Sequence, residues 1–409
     1  MFEGFTEFDL EVAETTIHGR RGGSGPPLLL LHGIPETHVM WHRLAPRLAE
    51  DFTVVATDLR GYGDSGKPAS TADHAPYTKR ALARDQVEVM AALGFEAFAI
   101  CGHDRGARCA YRLALDTPRA VTRLAVLDIV PTGDAFGHAD KDFALGFWLW
   151  SFLAAPRGVP ERLLGCDPEA LLDYALDAWA EEPGAFPEEV RAEYARALRD
   201  PATVHAICEE YRAAATLDCE HDEADRGRRK ISCPVLALWA HDGPVANWYD
   251  PLEVWRAWAD DVQGGPIRSG HFLPEEAPEE TYQRLYAFLT APPNHDPSRD
   301  HGCDQRQNLS IEFQNHRRML LQTIATTERE ATLYDERRQR SGHRAAAYTE
   351  SRGADCKAQR EDPLDQWGGP LHPYLRFSTD ALLSHTPADT HKYVSAWAVL
   401  VRQVRFCVA

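Results

Sequence analysis

Asp104 stands at the centre of Gly102-His103-Asp104-Arg105-Gly106-Ala107, where a small, apolar run gives way to an amphipathic one. A tight strand-to-helix turn of this composition exposes its central side chain. A serine or cysteine usually holds that place. A carboxylate there can displace a leaving group from carbon and form an ester that water then cleaves. A serine alkoxide would leave an ether instead, with no easy hydrolysis. Taken alone, Asp104 also suits a helix N-cap, where Asp is favoured. Residues further along the chain separate the two. His271, in "SGHFLPEEAPEE" (269–280), follows a glycine and precedes a proline-acidic helix start. Asp104, Asp128 and His271 then supply nucleophile, acid and base in that chain order. Asp242, closing "LALWAHDG", is the fallback acid. "HGIPETHVMW" (32–41) fits a loop that lends the N–H of Ile34 to an oxyanion, the second N–H coming from Arg105.

These side chains need a scaffold, and the chain supplies one as alternating strands and helices. "PPLLLLHG" (26–33), "FTVVATD" (52–58), "AFAICGH" (97–103), "RLAVLDIV" (123–130) and "PVLALWAHD" (234–242) are continuous apolar runs, as expected of strands buried on both faces. Helical stretches at 78–94 and 108–118 lie between them. The expectation is an α/β fold, a mostly parallel sheet with helices on both faces. Its polar clusters fall at the carboxyl ends of the strands, where such sheets place their sites.

The pattern breaks twice. Residues 132–228 are helical in composition and rich in aromatics, which reads as a cap inserted between the halves of the core, 1–131 and 229–292. Beyond 292 the sequence is polar, turn-rich and aperiodic, and is expected to be a disordered tail or a read-through extension.

Across 409 residues the net charge of −18 argues against nucleic acid or an anionic membrane as partner. An anionic substrate must then be drawn in by local positive charge, which Arg105 and Arg108 provide. No signal peptide and no apolar run of membrane-spanning length is evident, so the cytoplasm is expected. The nine cysteines show no paired or metal-ligand spacing. No metal or cofactor is implied, and the oligomeric state is left open, a homodimer included.

Seven stretches carry a family resemblance: "HGIP", "DLRGYGDSGKP", "GHDRGAR", "LDIVPT", "LWSFLAAP", "CEEYRAAATLDCEHD" and "SGHFLPEEAP". Together they resemble the haloacetate (fluoroacetate) dehalogenases, a branch of the α/β-hydrolase superfamily close to the epoxide hydrolases. The resemblance runs from about residue 3 to 292. It implies an α/β-hydrolase fold and hydrolysis of a small halocarboxylate to glycolate and halide through an ester on Asp104. It favours Asp128 over Asp242 as the acid. Arg105 and Arg108 would hold the substrate carboxylate by charge-assisted bonds. Family members cradle the departing halide with a His-Trp pair and a tyrosine. Here Trp150 and Tyr211 match, but Leu149 replaces the histidine, so chloroacetate and bromoacetate are expected to turn over faster than fluoroacetate. An epoxide hydrolase is the rival reading, with Tyr174, Tyr194 and Tyr211 as candidate proton donors. A hydrolase-fold protein that only binds a small acid is the non-enzymatic one.

Overall fold

The structure, a computed structural model, describes residues 1–292 except Arg157. The tail from 293 to 409, and the expectation made for it, lie outside the described residues.

Eight strands form one sheet: β1 (Thr6–Glu11), β2 (Thr16–Gly22), β3 (Pro27–Leu31), β4 (Thr53–Thr57), β5 (Phe98–His103), β6 (Val121–Leu127), β7 (Val235–Ala240) and β8 (Val262–Ile267). Their order is β1-β2-β4-β3-β5-β6-β7-β8. From β4 to β8 all neighbours run parallel, and β2 meets both β1 and β4 antiparallel. One row of paired residues crosses the middle of the sheet from Ala56 through Leu30, Cys101 and Ala125 to Leu236. All five are buried, which is why the five central strands read as unbroken apolar runs.

Helices Lys79–Ala92 and Asp104–Asp116 pack against each other on the sheet. Thr78 caps the first by accepting from the Ala81 N–H at 3.2 Å. Between β6 and β7 the described residues are helical. The pieces that matter to the site are Trp148–Leu153, Glu169–Ala178, Glu188–Leu198 and Pro201–Ala213. The last begins with Pro201 at its first turn and the Asp200 side chain accepting from Ala202 N–H. It then passes into a π-helical turn, Ala214–Asp218. Much of the aromatic content is cap core: Trp150 stacks on Phe147 at 5.4 Å, with Phe136 and Phe143 edge-on to it.

No helix among the described residues is long and apolar enough to cross a membrane. The six described cysteines are all free thiols.

Candidate active site

The elbow forms because two positions admit no side chain. A Cβ on Gly106 would lie 2.5 Å from the carbonyl oxygens of Leu31 and His32, and one on Gly102 would lie 2.5 Å from the Ala107 nitrogen. Helix Asp104–Asp116 can therefore sit directly against β3 and β5. Asp104 is its first residue, not its N-cap. That position falls to His103, and Asp104 takes a left-handed φ of 41°. Such backbone is costly for a non-glycine residue and is held only where the surroundings over-determine it. Here Ile34 N–H donates to Asp104 Oδ2 at 3.3 Å, across the end of β3.

Asp104 is 6% exposed. Burial favours its neutral acid, but His271, Arg105, Arg108 and His103 outweigh that and hold its carboxyl below the usual range. The elbow thus presents a carboxylate anion. Arg108 Nε lies 3.8 Å from Asp104 Oδ1, and Arg108 Nη1 donates to the carbonyl of Val130 at 3.0 Å.

Asp128 follows β6 with a φ of 54° and accepts from the Ala240 N–H at the end of β7, 2.9 Å away. Its other oxygen lies 2.6 Å from His271 Nδ1. That contact pairs Nδ1 with the carboxylate and leaves Nε2 without this partner. The fallback acid is thereby set aside. Asp242 lies two residues past the end of β7, its side chain 84% exposed and paired with His241. β7, which ends near Asp242, instead lends a backbone N–H to Asp128.

Arg105 is completely buried. Its Nε donates to Glu210 Oε1 at 2.9 Å, and its guanidinium lies 4.1 Å from the Tyr211 ring centroid. Glu210 is itself buried and also receives Lys79 Nζ and the Tyr62 hydroxyl. Burial disfavours its charge, but Arg105 and Lys79 prevail and draw it down to about 2. Arg105 Nη1 and Nη2, and Arg108 Nε, are buried with no hydrogen-bond partner among the described residues. Orphaned buried donors of this kind are rare and costly. One of the three, Arg108 Nε, lies 3.8 Å from Asp104 Oδ1.

In the cap, the Trp150 ring lies 4.5 Å from the Arg108 guanidinium and 6.0 Å from the Tyr211 ring. Among the described residues nothing hydrogen-bonds the Tyr211 hydroxyl or the Trp150 indole N–H. Leu149 is 3% exposed and belongs to the main hydrophobic cluster. The Tyr174 hydroxyl accepts from Trp148 Nε1 at 2.7 Å, and that of Tyr194 donates to Glu275 at 3.0 Å.

Sequence reasoning passed over His103 and Glu36, although both stand inside the quoted motifs. His103 Nδ1 meets Glu36 Oε2 at 3.0 Å and Nε2 meets the His271 carbonyl at 2.8 Å. With an acceptor at each nitrogen, the ring carries two protons. Burial opposes that charge, and Glu36 and Asp104 overcome it, holding His103 at about 9. Glu36 also accepts from Gly33 N–H at 3.0 Å, so one carboxylate ties the Ile34 loop to the elbow. Glu36 contacts Glu275, whose carboxyl is pushed well up by burial and by that neighbour.

Among the described residues, two groups have metal-ligand composition: His18, His38 and Asp58, and Glu161, His205 and Glu209. Both are already served by arginines. Arg20 donates to His38 Nε2, and Arg212 Nη1 lies 2.6 Å from each of Glu161 and Glu209.

The family model for the α/β-hydrolase fold matches residues 26–278. This chain belongs to the α/β-hydrolase family. The hydrolase is 43% identical to fluoroacetate dehalogenase from Burkholderia sp over 291 residues, 71% of this chain and 95% of that one. It is 34% identical to soluble epoxide hydrolase from Corynebacterium sp. (strain C12), covering 67% of this chain and 93% of that one. A crystal structure of an α/β-hydrolase-fold protein from Nostoc sp PCC 7120 matches with a TM-score of 0.70 and 53% identity, covering 71% of this hydrolase and all of that chain.

Proposed function

We propose that this hydrolase is a haloacetate dehalogenase acting on short 2-halocarboxylates. The observation that carries the reading is the set of unpartnered, buried donors on Arg105 and Arg108 beside an anionic Asp104. A carboxylate satisfies them and brings its α-carbon next to the nucleophile, a placement worth a large share of a barrier. The 43% identical relative named fluoroacetate dehalogenase supports the same choice.

In the first step Asp104 attacks the carbon that bears the halogen. The carbon–oxygen bond forms as the carbon–halogen bond breaks, and halide leaves with the electron pair. Trp150 N–H and Tyr211 O–H are the donors available to it. In the second step His271 Nε2 takes a proton from water, and the oxygen adds to the ester carbonyl of Asp104. The Ile34 N–H steadies the oxyanion and Asp128 steadies the imidazolium, which returns the proton to the glycolate oxygen as its bond to the Asp104 carbonyl carbon breaks. The carboxylate regenerated on Asp104 carries one oxygen from water.

The test is halide release from chloroacetate against the neutral chloroacetamide, in wild type and in Arg105→Leu. Wild type is expected to favour chloroacetate. Arg105→Leu should lose about 10²-fold or more on the acid, the cost of removing charge-assisted bonds worth about 3 kcal/mol, and far less on the amide. Equal losses on both would refute the assignment. A second reading, epoxide hydrolysis, draws on the Corynebacterium relative and the unpaired Tyr211 hydroxyl. Diol formed from a simple epoxide faster than halide from any haloacetate would favour it.

A further inference from the structure

The loop that carries His271 is anchored to the cap through a residue outside the triad. Three consecutive backbone N–H groups flank and include the base. That of Gly270 donates to Glu276 Oε2 at 3.2 Å, that of Phe272 to Glu276 Oε1 at 2.9 Å, and that of His271 to the Trp179 carbonyl at 2.8 Å. Glu276 Oε2 also accepts from Glu181 and Glu182, at 2.6 and 3.0 Å. One carboxylate thus gathers four N–H groups, two beside the base and two in the cap segment 179–182.

The packing between these backbones is close. A Cβ on Gly270 would lie 2.4 Å from the Glu181 nitrogen and 2.5 Å from the Trp179 oxygen. The Trp179 indole meets the His271 ring edge-on at 5.6 Å.

We propose that Glu276 is a positioning residue that mounts the base on the cap and sets the rate of ester hydrolysis. The inference rests on the functional reading above. All four partners are donors, so the group must be acceptor-only, which an ionised carboxylate is and an amide is not. In Glu276→Gln, one end of the amide turns N–H toward N–H, and the His271 loop separates from 179–182. Alkylation of Asp104 takes no proton to His271, and Arg105, Arg108 and His103 still favour the Asp104 anion, so this step should be spared. Hydrolysis of the ester needs His271 Nε2 in line with a water and should not.

The experiment is rapid-quench mass spectrometry of the intact protein on chloroacetate, with wild type, His271→Ala, Glu276→Gln and Glu276→Asp. Glu279→Gln, an exposed neighbour on the same motif paired with Arg47, is the control. For Glu276→Gln we expect hydrolysis to slow about 10- to 100-fold, as small misplacements of a catalytic group do, with ester formation within about threefold of wild type. The carboxymethyl ester should then accumulate, as in His271→Ala. Glu276→Asp keeps the charge but falls short by one methylene, and should accumulate ester to a lesser degree; it serves also if the glutamine variant does not fold. Equal slowing of both steps, or unchanged hydrolysis, while His271→Ala traps ester would overturn the role of Glu276 alone. Wild type that yields neither halide nor ester would overturn the functional reading and this inference with it.

Discussion

At Leu149 this chain departs from the halide cradle that the dehalogenase resemblance implies. A halide leaving carbon gains charge, and donors that tighten on it lower the barrier. Leucine offers none, which leaves Trp150 and Tyr211. Fluoride needs such help most, because its bond to carbon is strong. Chloride and bromide are larger, more polarisable and better leaving groups. Wild type should therefore turn over chloroacetate and bromoacetate faster than fluoroacetate. Leu149→His should raise the fluoroacetate rate relative to chloroacetate by about 10-fold or more, by analogy with single donors at oxyanion sites. Steady-state halide release on the three acids measures both ratios. An unchanged ratio in the histidine variant would mean that Leu149 serves the hydrophobic cluster in which it is buried, and that the halide sits elsewhere.

Among the elements, legibility in the sequence follows burial. The five central strands could be read because both of their faces are covered, which makes them unbroken apolar runs. β1 and β2 at one edge, and β8 at the other, could not. β1 alternates between exposed and half-buried positions, and β8 spells "VQGGPI", with Gly264 at a φ of 153°. Asp104, Asp128 and His271 were legible because each closes a strand or the loop after one. Glu210 and Glu276 were quoted within motifs without a role, since Arg105 lies 105 residues from Glu210 and the cap partners of Glu276, Glu181 and Glu182, lie 95 and 94 residues from it. His103 joins the elbow to the base loop and makes a prediction at this scale. Its folded value of about 9 lies above the ordinary 6.5, so the native state holds a proton that the unfolded chain releases first. The resulting stabilisation is complete below about pH 6.5 and is lost as pH rises through about 9. Urea unfolding should show stability falling by up to about 1.4 kcal/mol per pH unit across that window. His103→Asn should flatten the slope. A wild-type profile level from pH 6.5 to 9 would contradict the doubly protonated ring.

At the scale of the whole molecule, relatives that align over 95% and 100% of their own length cover 71% of this chain. The sheet, the cap and every side chain of the candidate site lie within residues 1–292. A protein ending at Pro292 should express in soluble form, melt cooperatively and keep kcat and KM on chloroacetate within about twofold, since relatives aligned over nearly their whole length match only this part of the chain. Insolubility or a large loss of turnover would show that residues 293–409 contribute to the hydrolase itself.

Arg105 grows from the core helix, yet the carboxylate that orients it, Glu210, and the ring against it, Tyr211, belong to the cap. Core and cap are therefore not interchangeable parts. A chimaera that keeps this core but borrows a cap without an acid at that position would strand a buried cation. Such a hybrid would be expected to fail at the arginine before any question of substrate preference arose. Recombination among these hydrolases, in the laboratory or in lineages, should accordingly tolerate crossovers that move Arg105 and Glu210 together and reject those that part them.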